Sequence, residues 1–411
     1  MTITSNLPDA YQQALASFHE GRLEDALSMS ERLRDRLSQD LSGLSPQQWQ
    51  QYQRLLNLQQ KTLELAISCF HALGQNDEAI AYSHKLLRLN PDNPEAHCKL
   101  AYYLLYAGEF AAGWEEFEWR HRMPSRRIPY LETKNRWQGE NLPGETLLVL
   151  CQQGFGDAIQ FARYLPMARE RVGRLVFHCR RPLAPLFEGV PYIDELMVEV
   201  IRHDTPIDAY TNICSLAKIF AADPTNVPPP LTLREPPNAL KRRWQSRLTR
   251  EGFNIGIAWS GSSMRDDDAS RPGRLEDFQR LLGIPGVHLY SLQLHERIDA
   301  LPENFHQLGT EIGDFADTAA IIGQLDLVIS VDTALAHLAL TMRRETWVVL
   351  PMVTDWRWVG YAVDGSSGRC PDSDRGCIWY PEARMFKQRT RCDRHDVMER
   401  VVRALHERMT G

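Results

Sequence analysis

The sequence predicts a helical N-terminal region followed by two α/β lobes. Three observations lead to this prediction. Helical segments are paired around glycines up to about residue 120, short apolar segments alternate with helical ones from about residue 145, and a proline-rich break occupies residues 227–237. Strands that alternate with helices form parallel sheets with crossover helices. The 411 residues are enough for two or three domains.

The helical pairs share a glycine that is followed five positions later by a small residue. These positions are Gly21 with Ala26, Gly74 with Ala79, and Gly108 with Gly113. A small residue there lets two paired helices approach closely. The second and third glycines are 34 residues apart, which is the repeat length of the tetratricopeptide repeats that this pattern resembles. The first two glycines are 53 residues apart, so an insertion or a degenerate repeat is expected around the Gln-rich segment 47–60. An unrelated bundle stays possible for residues 1–60.

The predicted boundaries are residues 1–127 for the helical domain, 134–235 for the first lobe and 236–411 for the second. The basic segment 120–129 contains two prolines and reads as a solvated linker. Predicted strands are 146–151, 175–179, 254–259, 287–292, 325–331 and 346–350. Two such lobes place a ligand cleft between them, at the carboxyl ends of the strands.

The strongest functional signal follows the predicted strand 325–331. Asp332 and Thr333 end the strand, a helix begins at once, and His337 lies one helical turn after Thr333 on the same face. The free N–H groups of a helix N-terminus favour an anion, and a diphosphate is the natural occupant. Alternatively, Asp332 or Thr333 is only an N-cap, and His337 is a histidine with a structural role in the helix.

The first lobe opens with a strand, a Gly-x-Gly loop and a helix. Gln153, Gly154 and Gly156 permit close approach of a ligand, and Asp157 could act as a general base. The alternative for Asp157 is an acid that the helix dipole favours. Ile159 replaces the third glycine of the dinucleotide fingerprint. The sequence also lacks the P-loop, His-Glu-x-x-His and Gly-x-Ser-x-Gly motifs.

The second lobe offers further groups that could donate hydrogen bonds to a phosphate. Ser260 and Gly261 follow its first strand, and Arg271 in the next polar loop could reach a diphosphate bidentately. A plain turn and a charged surface loop would explain the same composition. After the last strong strand, Trp356 and Arg357 could bind a sugar or base or close the cleft, whereas a structural tryptophan cluster is the alternative.

Composition limits the other possibilities. A net charge of -6 does not suggest a nucleic-acid partner. No apolar run approaches the length of a membrane span, and the first residues lack the pattern of a signal peptide, so we expect a cytoplasmic protein.

Most of the eight cysteines are expected to be small core residues. Four tail residues could hold zinc, but their spacing favours free thiols; these are Cys370, Cys377, Cys392 and His395.

Several segments, in this order, resemble bacterial tetratricopeptide-repeat glycosyltransferases. The catalytic part is similar to heptosyltransferases and, more distantly, to the O-GlcNAc-transferase-like families. The resemblance covers about residues 60–411. The segments that carry it are 108–120, 137–139, 153–166, 314–320, 330–337, 355–358 and 379–388.

This resemblance implies a GT-B fold of two Rossmann-like lobes, with the nucleotide-sugar donor held by the C-terminal lobe and the acceptor on the N-terminal side. It also implies that a C-terminal helix near 396–407 packs on the first lobe. The reaction would be metal-independent and inverting, with no cofactor. Asp157 would be the base, and His337 with its helix N-terminus would stabilise the departing charge. The donor-binding set would be Ser260, Gly261, Arg271, Gln293, Asp317, Thr318, Asp332, Thr333, Trp356 and Arg357, and the acceptor-side loop Gln153, Gly154 and Gly156.

We therefore expect a glycosyltransferase that moves a sugar to a hydroxyl of a protein, such as flagellin or another surface protein, presented by the helical repeats. One alternative is a non-catalytic nucleotide-binding scaffold. Gln152 supports it, because relatives commonly have Glu there. The other alternative is a transferase that acts on a saccharide or lipid.

Overall fold

The computed structural model describes residues 6–42, 48–202, 204–261, 273–294, 298, 302–360 and 376–410. Contacts divide the chain into two compact units, Met1–Arg127 and Ile128–Gly411. The first unit is helical, and the second contains two parallel sheets. Among the described residues, no helix combines the length and apolarity that a membrane span needs.

The helical unit consists of three helix pairs. The helices are α1 Leu7–His19, α2 Leu23–Ser42, α3 Trp49–Ala72, α4 Asn76–Leu89, α5 Pro94–Ala107 and α6 Phe110–Phe117. Each pair turns at a glycine with a left-handed φ, namely 79° at Gly21, 76° at Gly74 and 91° at Gly108. Because a side chain is strained in this region, glycine is the residue that fits the turn.

Small residues bring the paired helices together as the pattern predicts. Ala26 and Ala79 are fully buried, and a Cβ atom at Gly113 would lie 2.8 Å from the side chain of Leu105. No degenerate repeat is seen in the described part of the Gln-rich segment, because that part begins α3. The long first spacing instead arises from two long helices, α2 with 20 residues and α3 with 24.

The basic segment after α6 is not a solvated linker throughout. Residues Glu118–Arg122 form a 3-10 turn. Arg120 is buried, and its guanidinium donates hydrogen bonds to the carbonyl of Phe117 at 2.7 Å and to Glu118 at 2.6 Å. Its charge is therefore neutralised within the helical unit.

The first sheet has five parallel strands in the order β1-β5-β2-β3-β4. Its strands are β1 Asn135–Arg136, β2 Leu142–Leu150, β3 Val172–Cys179, β4 Glu195–Val198 and β5 Ala209–Asn212. The accompanying helices are α7 Phe155–Phe161, α8 Leu165–Arg169, α9 Ala184–Phe187 and α10 Ser215–Ile219. The main strands are apolar and buried, as expected for a sheet covered on both faces.

The second sheet has six parallel strands in the order β11-β10-β9-β6-β7-β8. Its strands are β6 Phe253–Ala258, β7 Val287–Ser291, β8 Phe305–Gln307, β9 Leu327–Val331, β10 Thr346–Leu350 and β11 Arg384–Lys387. Its helices are α11 Asn238–Gln245, α12 Leu275–Gln279, α13 Phe315–Ile322, α14 Ala334–Thr341 and α15 Arg394–Thr410. Since all strands are parallel, their carboxyl ends meet along one edge of the sheet.

The C-terminal helix corrects one expectation. The apolar face of α15, including Val397, Val401 and Leu405, belongs to the same core as Ile255 and Ile329 of the second sheet. The helix therefore packs on the lobe that contains it, rather than on the first lobe. The spacing of its apolar residues, three or four positions apart, gives it one face that the second sheet covers.

Candidate functional site

The first half of the site is the N-terminus of α7. Gly154 precedes the helix with an extended backbone, and its N–H donates to Oδ2 of Asp157 at 3.1 Å. This hydrogen bond fixes the carboxylate at the carboxyl end of β2, where the side chain remains about one fifth exposed. The Gly-x-Gly-Asp motif thus presents an oriented carboxylate at the edge of the first sheet.

The second half is the N-terminus of α14. Thr333 lies at the N-cap in an extended conformation, but its hydroxyl bonds to the hydroxyl of Ser330 at 2.9 Å. The Thr333 side chain makes no capping hydrogen bond to the N–H groups of this helix. Thr333 thus leaves the first N–H groups of α14 to other partners, and the helix dipole favours an anion at this position.

A close contact joins the two halves. A Cβ atom added to Gly156 would lie 2.7 Å from Cδ2 of His337. Glycine is needed here because any side chain would overlap the imidazole ring. Gly156 belongs to α7 and His337 to α14, so the two helices pack together and bring the predicted acceptor loop against the predicted phosphate site.

His337 is buried and oriented on both sides. Its Nδ1 lies 3.1 Å from the hydroxyl of Tyr380, and its Nε2 lies 3.8 Å from Oδ1 of Asp332. The rings of Tyr380 and Trp358 pack against it. Burial lowers the pKa of His337 to about 3, and the positive charge of Arg357 adds to this effect. The imidazole is therefore neutral near pH 7, with one donor and one acceptor nitrogen.

Arg357 connects the lobes through an ion pair. Its Nη2 donates to Oδ1 of Asp157 at 2.5 Å, and its Nη1 donates to Oδ1 of Asp355 at 2.9 Å. The guanidinium also lies 4.1 Å from the ring centre of Trp356. Burial alone would lower the pKa of Arg357, but Asp355 and Asp157 raise it above its ordinary value. The structure thus places this predicted donor-binding residue against the predicted base, and a role in donor binding stays a prediction.

The tryptophans after β10 lie in a buried aromatic cluster. Trp356 is 3% exposed and Trp358 is fully buried. Trp356 contacts Phe161 and Trp379 at ring-centre distances of 6.4 and 5.7 Å. This packing supports the structural alternative for these rings in the state described, and stacking of Trp356 on a donor stays a prediction.

Two other residues that were predicted to bind the nucleotide-sugar donor already have hydrogen-bond partners within the protein. Oδ1 of Asp317 accepts a hydrogen bond from Nε1 of Trp244 at 2.7 Å, and Oδ2 accepts one from the N–H of Gly313 at 2.9 Å. The hydroxyl of Thr318 donates to the carbonyl of Asp314 at 3.2 Å. Asp317 therefore anchors α11 to α13, and contact of these two residues with a nucleotide stays a prediction.

The ends of β6 and β7 bring two further predicted residues together. The N–H of Ser260 donates to Oε1 of Gln293 at 3.1 Å. Gly261 follows Ser260 at the same edge of the sheet. Arg271 lies outside the described residues. The neighbouring strand ends thus meet at one edge of the second sheet, where the cleft is predicted.

Some residues at the site were not predicted. Tyr380 and Arg163 lie in segments that carry the resemblance, but neither received a role. The Arg163 guanidinium lies 5.0 Å from the ring centre of Tyr380. On the first lobe, the Arg180 guanidinium lies 3.8 Å from the ring centre of Phe155. The useful signal was the position of Arg180, immediately after the predicted strand 175–179.

The described residues contain no group of three or more His, Cys, Asp and Glu side chains that could hold a metal ion. Cys370, one member of the predicted tail group, lies outside the described residues. Of the others, Cys377 is buried and Cys392 is exposed, and neither forms a disulfide among the described residues.

Comparisons with known proteins were made for the sequence and for the fold. No protein-family model matches the chain. Protein FlbA from Caulobacter vibrioides is 24% identical over 344 residues, which are 75% of this chain and 57% of FlbA. The match therefore spans less than two thirds of that relative's length.

The solved structures that the chain resembles include glycosyltransferases. For E. coli ADP-heptose LPS heptosyltransferase II, the identity is 13% and the TM-score 0.45, with 64% of this chain and 98% of that chain covered. For the iron-containing dodecameric glycosyltransferase TibC from enterotoxigenic E. coli, the identity is 13% and the TM-score 0.42, with 66% and 78% covered. Neither TM-score reaches 0.5, so we transfer no residue's role from these structures.

Proposed function

We propose that the protein is a glycosyltransferase that moves a sugar from a nucleotide-sugar donor to a hydroxyl acceptor. One observation carries this proposal. The contact of Gly156 with His337 brings the carboxylate at the start of α7 together with the N-terminus of α14, where Thr333 makes no capping hydrogen bond. A base for the acceptor and an anion site for the leaving group are the two elements that a direct sugar transfer needs.

The proposed reaction is a single displacement with inversion. Asp157 accepts the proton of the acceptor hydroxyl while the oxygen forms a bond to the anomeric carbon. The bond from that carbon to the phosphate oxygen breaks, and its electron pair leaves with the nucleoside diphosphate. The N–H groups at the start of α14 and a donor nitrogen of His337 stabilise the charge that develops on this phosphate. This scheme uses no metal ion or other cofactor.

Arg357 supports the base in this scheme. One carboxylate oxygen of Asp157 accepts a hydrogen bond from the Gly154 N–H, and the other accepts one from the Arg357 guanidinium. These contacts hold the carboxylate in one orientation, which is the geometric requirement for proton transfer. Arg357 is itself fixed by Asp355, so the orientation of the base depends on the second lobe.

The acceptor that we propose is a protein. The three helix pairs of Met1–Arg127 are similar in pattern to tetratricopeptide repeats, which makes this unit the natural recruiter of a polypeptide. We further propose that the transfer takes place in the cytoplasm. A saccharide or lipid acceptor is the competing proposal.

Donor turnover tests the proposal. Full-length protein is incubated with ADP-, UDP-, GDP-, CDP- and dTDP-sugars and with CMP-sialic acid, and nucleotide release is measured with and without host-cell proteins. We expect release from one nucleotide class and transfer of the sugar to protein, detected as a mass increment on a Ser, Thr or Tyr peptide. The result that would overturn the proposal is the absence of both binding and release for every donor.

A non-catalytic nucleotide-binding scaffold is the second candidate. It is favoured by the ion pair of Asp157 with Arg357, because this contact and the Gly154 N–H use one lone pair on each oxygen and leave less of the carboxylate open to an acceptor hydroxyl. This candidate predicts that a nucleotide sugar binds and stays intact. The release assay therefore separates the two candidates.

A further inference from the structure

We propose that the Tyr380 hydroxyl donates its hydrogen bond to Nδ1 of His337 and so holds the imidazole in the tautomer that carries its proton on Nε2. Tyr380 is then a positioning residue, which acts through His337 rather than on the substrate. The consequence for sugar transfer rests on the proposed function, whereas the tautomer itself does not.

The contact that carries the proposal is buried. The Tyr380 oxygen lies 3.1 Å from Nδ1 of His337. His337 is 4% exposed and Tyr380 is 3% exposed. With little water available, each must satisfy its polar atoms within the protein. A neutral imidazole has one N–H and one lone pair, so the direction of this hydrogen bond decides which nitrogen carries the proton.

A buried cation beside Tyr380 fixes that direction. The Arg163 guanidinium lies 5.0 Å from the ring centre of Tyr380 and is held by the carbonyls of Gln160 and Trp379 at 2.8 and 2.9 Å. Because arginine has donors and no acceptor, its positive field draws the phenol lone pairs towards itself. The side chains of Arg163 and Thr341 both hydrogen-bond the Tyr380 oxygen. With both acting as donors to that oxygen, the phenol O–H is left for Nδ1 of His337. Burial raises the pKa of Tyr380 to about 12, so the phenol keeps this proton near pH 7.

The other side of the imidazole favours the same tautomer. Nε2 lies 3.8 Å from Oδ1 of Asp332, a carboxylate that favours an N–H over a lone pair facing it. The distance is too long for a hydrogen bond. Gly156 of α7 lies against the neighbouring Cδ2 edge of the ring. The Nε2–H group is therefore directed to the junction of α7 and α14, where the leaving phosphate is proposed to bind.

The tautomer matters because it determines whether Nε2 of His337 attracts or repels a phosphate oxygen. With the proton on Nε2, His337 offers a donor to a phosphate oxygen. With the proton on Nδ1, it would present a lone pair to that oxygen and repel it. Tyr380 would thus select the productive form without touching the donor.

The test is a long-range ¹H–¹⁵N spectrum of the full-length protein labelled with ¹⁵N-histidine, at pH 7 and without ligand. His337 is assigned by the signals that disappear in His337→Gln. We expect a protonated Nε2 and an unprotonated Nδ1 in the wild type. In Tyr380→Phe we expect signals that show a mixture of the two tautomers. A wild-type spectrum with the proton on Nδ1 would overturn the proposal without any tyrosine variant.

The functional consequence is measured with the donor-release assay. Tyr380→Phe should lower kcat for nucleotide release about tenfold, which is the loss expected for one weakened hydrogen bond to the leaving group. Tyr164→Phe is the matched control, since this tyrosine is 1% exposed and its hydroxyl has no partner among the described residues. It should leave both the spectrum and kcat unchanged.

Failure of this inference differs from failure of the proposed function. If the wild type releases nucleotide and Tyr380→Phe alters neither the spectrum nor kcat, Tyr380 is not a positioning residue and the transferase proposal stands. If no donor is bound or cleaved, the transferase proposal fails, and the spectrum still decides the tautomer.

Discussion

Arg357 of the second lobe binds Asp157 of the first lobe, with Nη2 and Oδ1 2.5 Å apart. The two residues are 200 positions apart in the sequence, and both side chains are largely buried. Asp355 holds the other branch of the guanidinium. The proposed base is therefore oriented by a lobe other than its own.

Removal of Arg357 tests this link. Arg357→Gln leaves Asp157 and Asp355 without their cation, so we expect a loss of about 3–5 kcal/mol in the free energy of unfolding, measured with urea. Nucleotide release should fall as well. Arg408→Gln is the control, because its pair with Glu345 is half exposed and should contribute less than about 1 kcal/mol. Equal effects of the two variants would refute the assignment.

A methyl group at position 156 tests the contact between α7 and α14. Gly156→Ala should destabilise the protein by about 1–3 kcal/mol, because the new Cβ would overlap the ring of His337. Gly144→Ala places a methyl group where no atom lies within 4 Å, and it should have little effect. The thermal midpoints of both variants are compared with the wild type. A Gly156→Ala variant as stable as Gly144→Ala would show that the two helices are not in contact.

Neutralisation of the proposed base should separate binding from turnover. In Asp157→Asn we expect nucleotide release to fall by about 10²–10⁴, the usual contribution of a general base, while nucleotide affinity is retained. Asp208→Asn is the control, since this carboxylate also accepts a backbone N–H, that of Thr146 at 2.8 Å, but lies beside the middle of β2, away from its carboxyl end. Undiminished turnover in Asp157→Asn would eliminate this residue as the base.

The buried neutral histidine predicts a specific acid sensitivity. The folded-state pKa of His337 is about 3, against an ordinary value of 6.5. The unfolded chain therefore binds the proton first as pH falls below 6.5, and stability is lost down to about pH 3. Between pH 7 and 5 the wild type should lose about 2 kcal/mol more unfolding free energy than His337→Gln. His395→Gln, at an exposed position, should behave like the wild type. Parallel pH profiles for wild type and His337→Gln would contradict the burial of a neutral imidazole.

Local patterns predicted much of the fold. The helix pairs around Gly21, Gly74 and Gly108 could be read because each turn requires a left-handed φ. Strand β10 was predicted with its observed bounds, because it is a short, wholly buried apolar run. Strands β1, β4, β5, β8 and β11 were missed. Each has at most four residues, and polar side chains interrupt the apolar pattern in most of them.

The candidate site was predictable only in part. Asp157 and His337 could be found because each follows a strand and lies at a helix N-terminus, a local signal. The pairing of Arg357 with Asp157 could not be found, since it depends on how two distant strand ends meet. The role of Tyr380 could not be predicted from the sequence either, because its contact with His337 joins a loop before β11 to α14. Asp317 looked like a cleft residue from its position, but its oxygens are used by Trp244 and Gly313.

Thermal unfolding with nucleotides tests the central claim most directly. The wild type and His337→Ala are melted with ADP, UDP, GDP, CDP, dTDP and CMP, with their sugar conjugates, and with NAD as a control. A ligand that binds only the folded state stabilises it by RT ln(1 + [L]/Kd), about 2.7 kcal/mol at 100 times Kd. We expect a shift with one nucleotide class that His337→Ala weakens or abolishes. No shift with any nucleotide, or an identical shift in His337→Ala, would contradict a phosphate site at the start of α14.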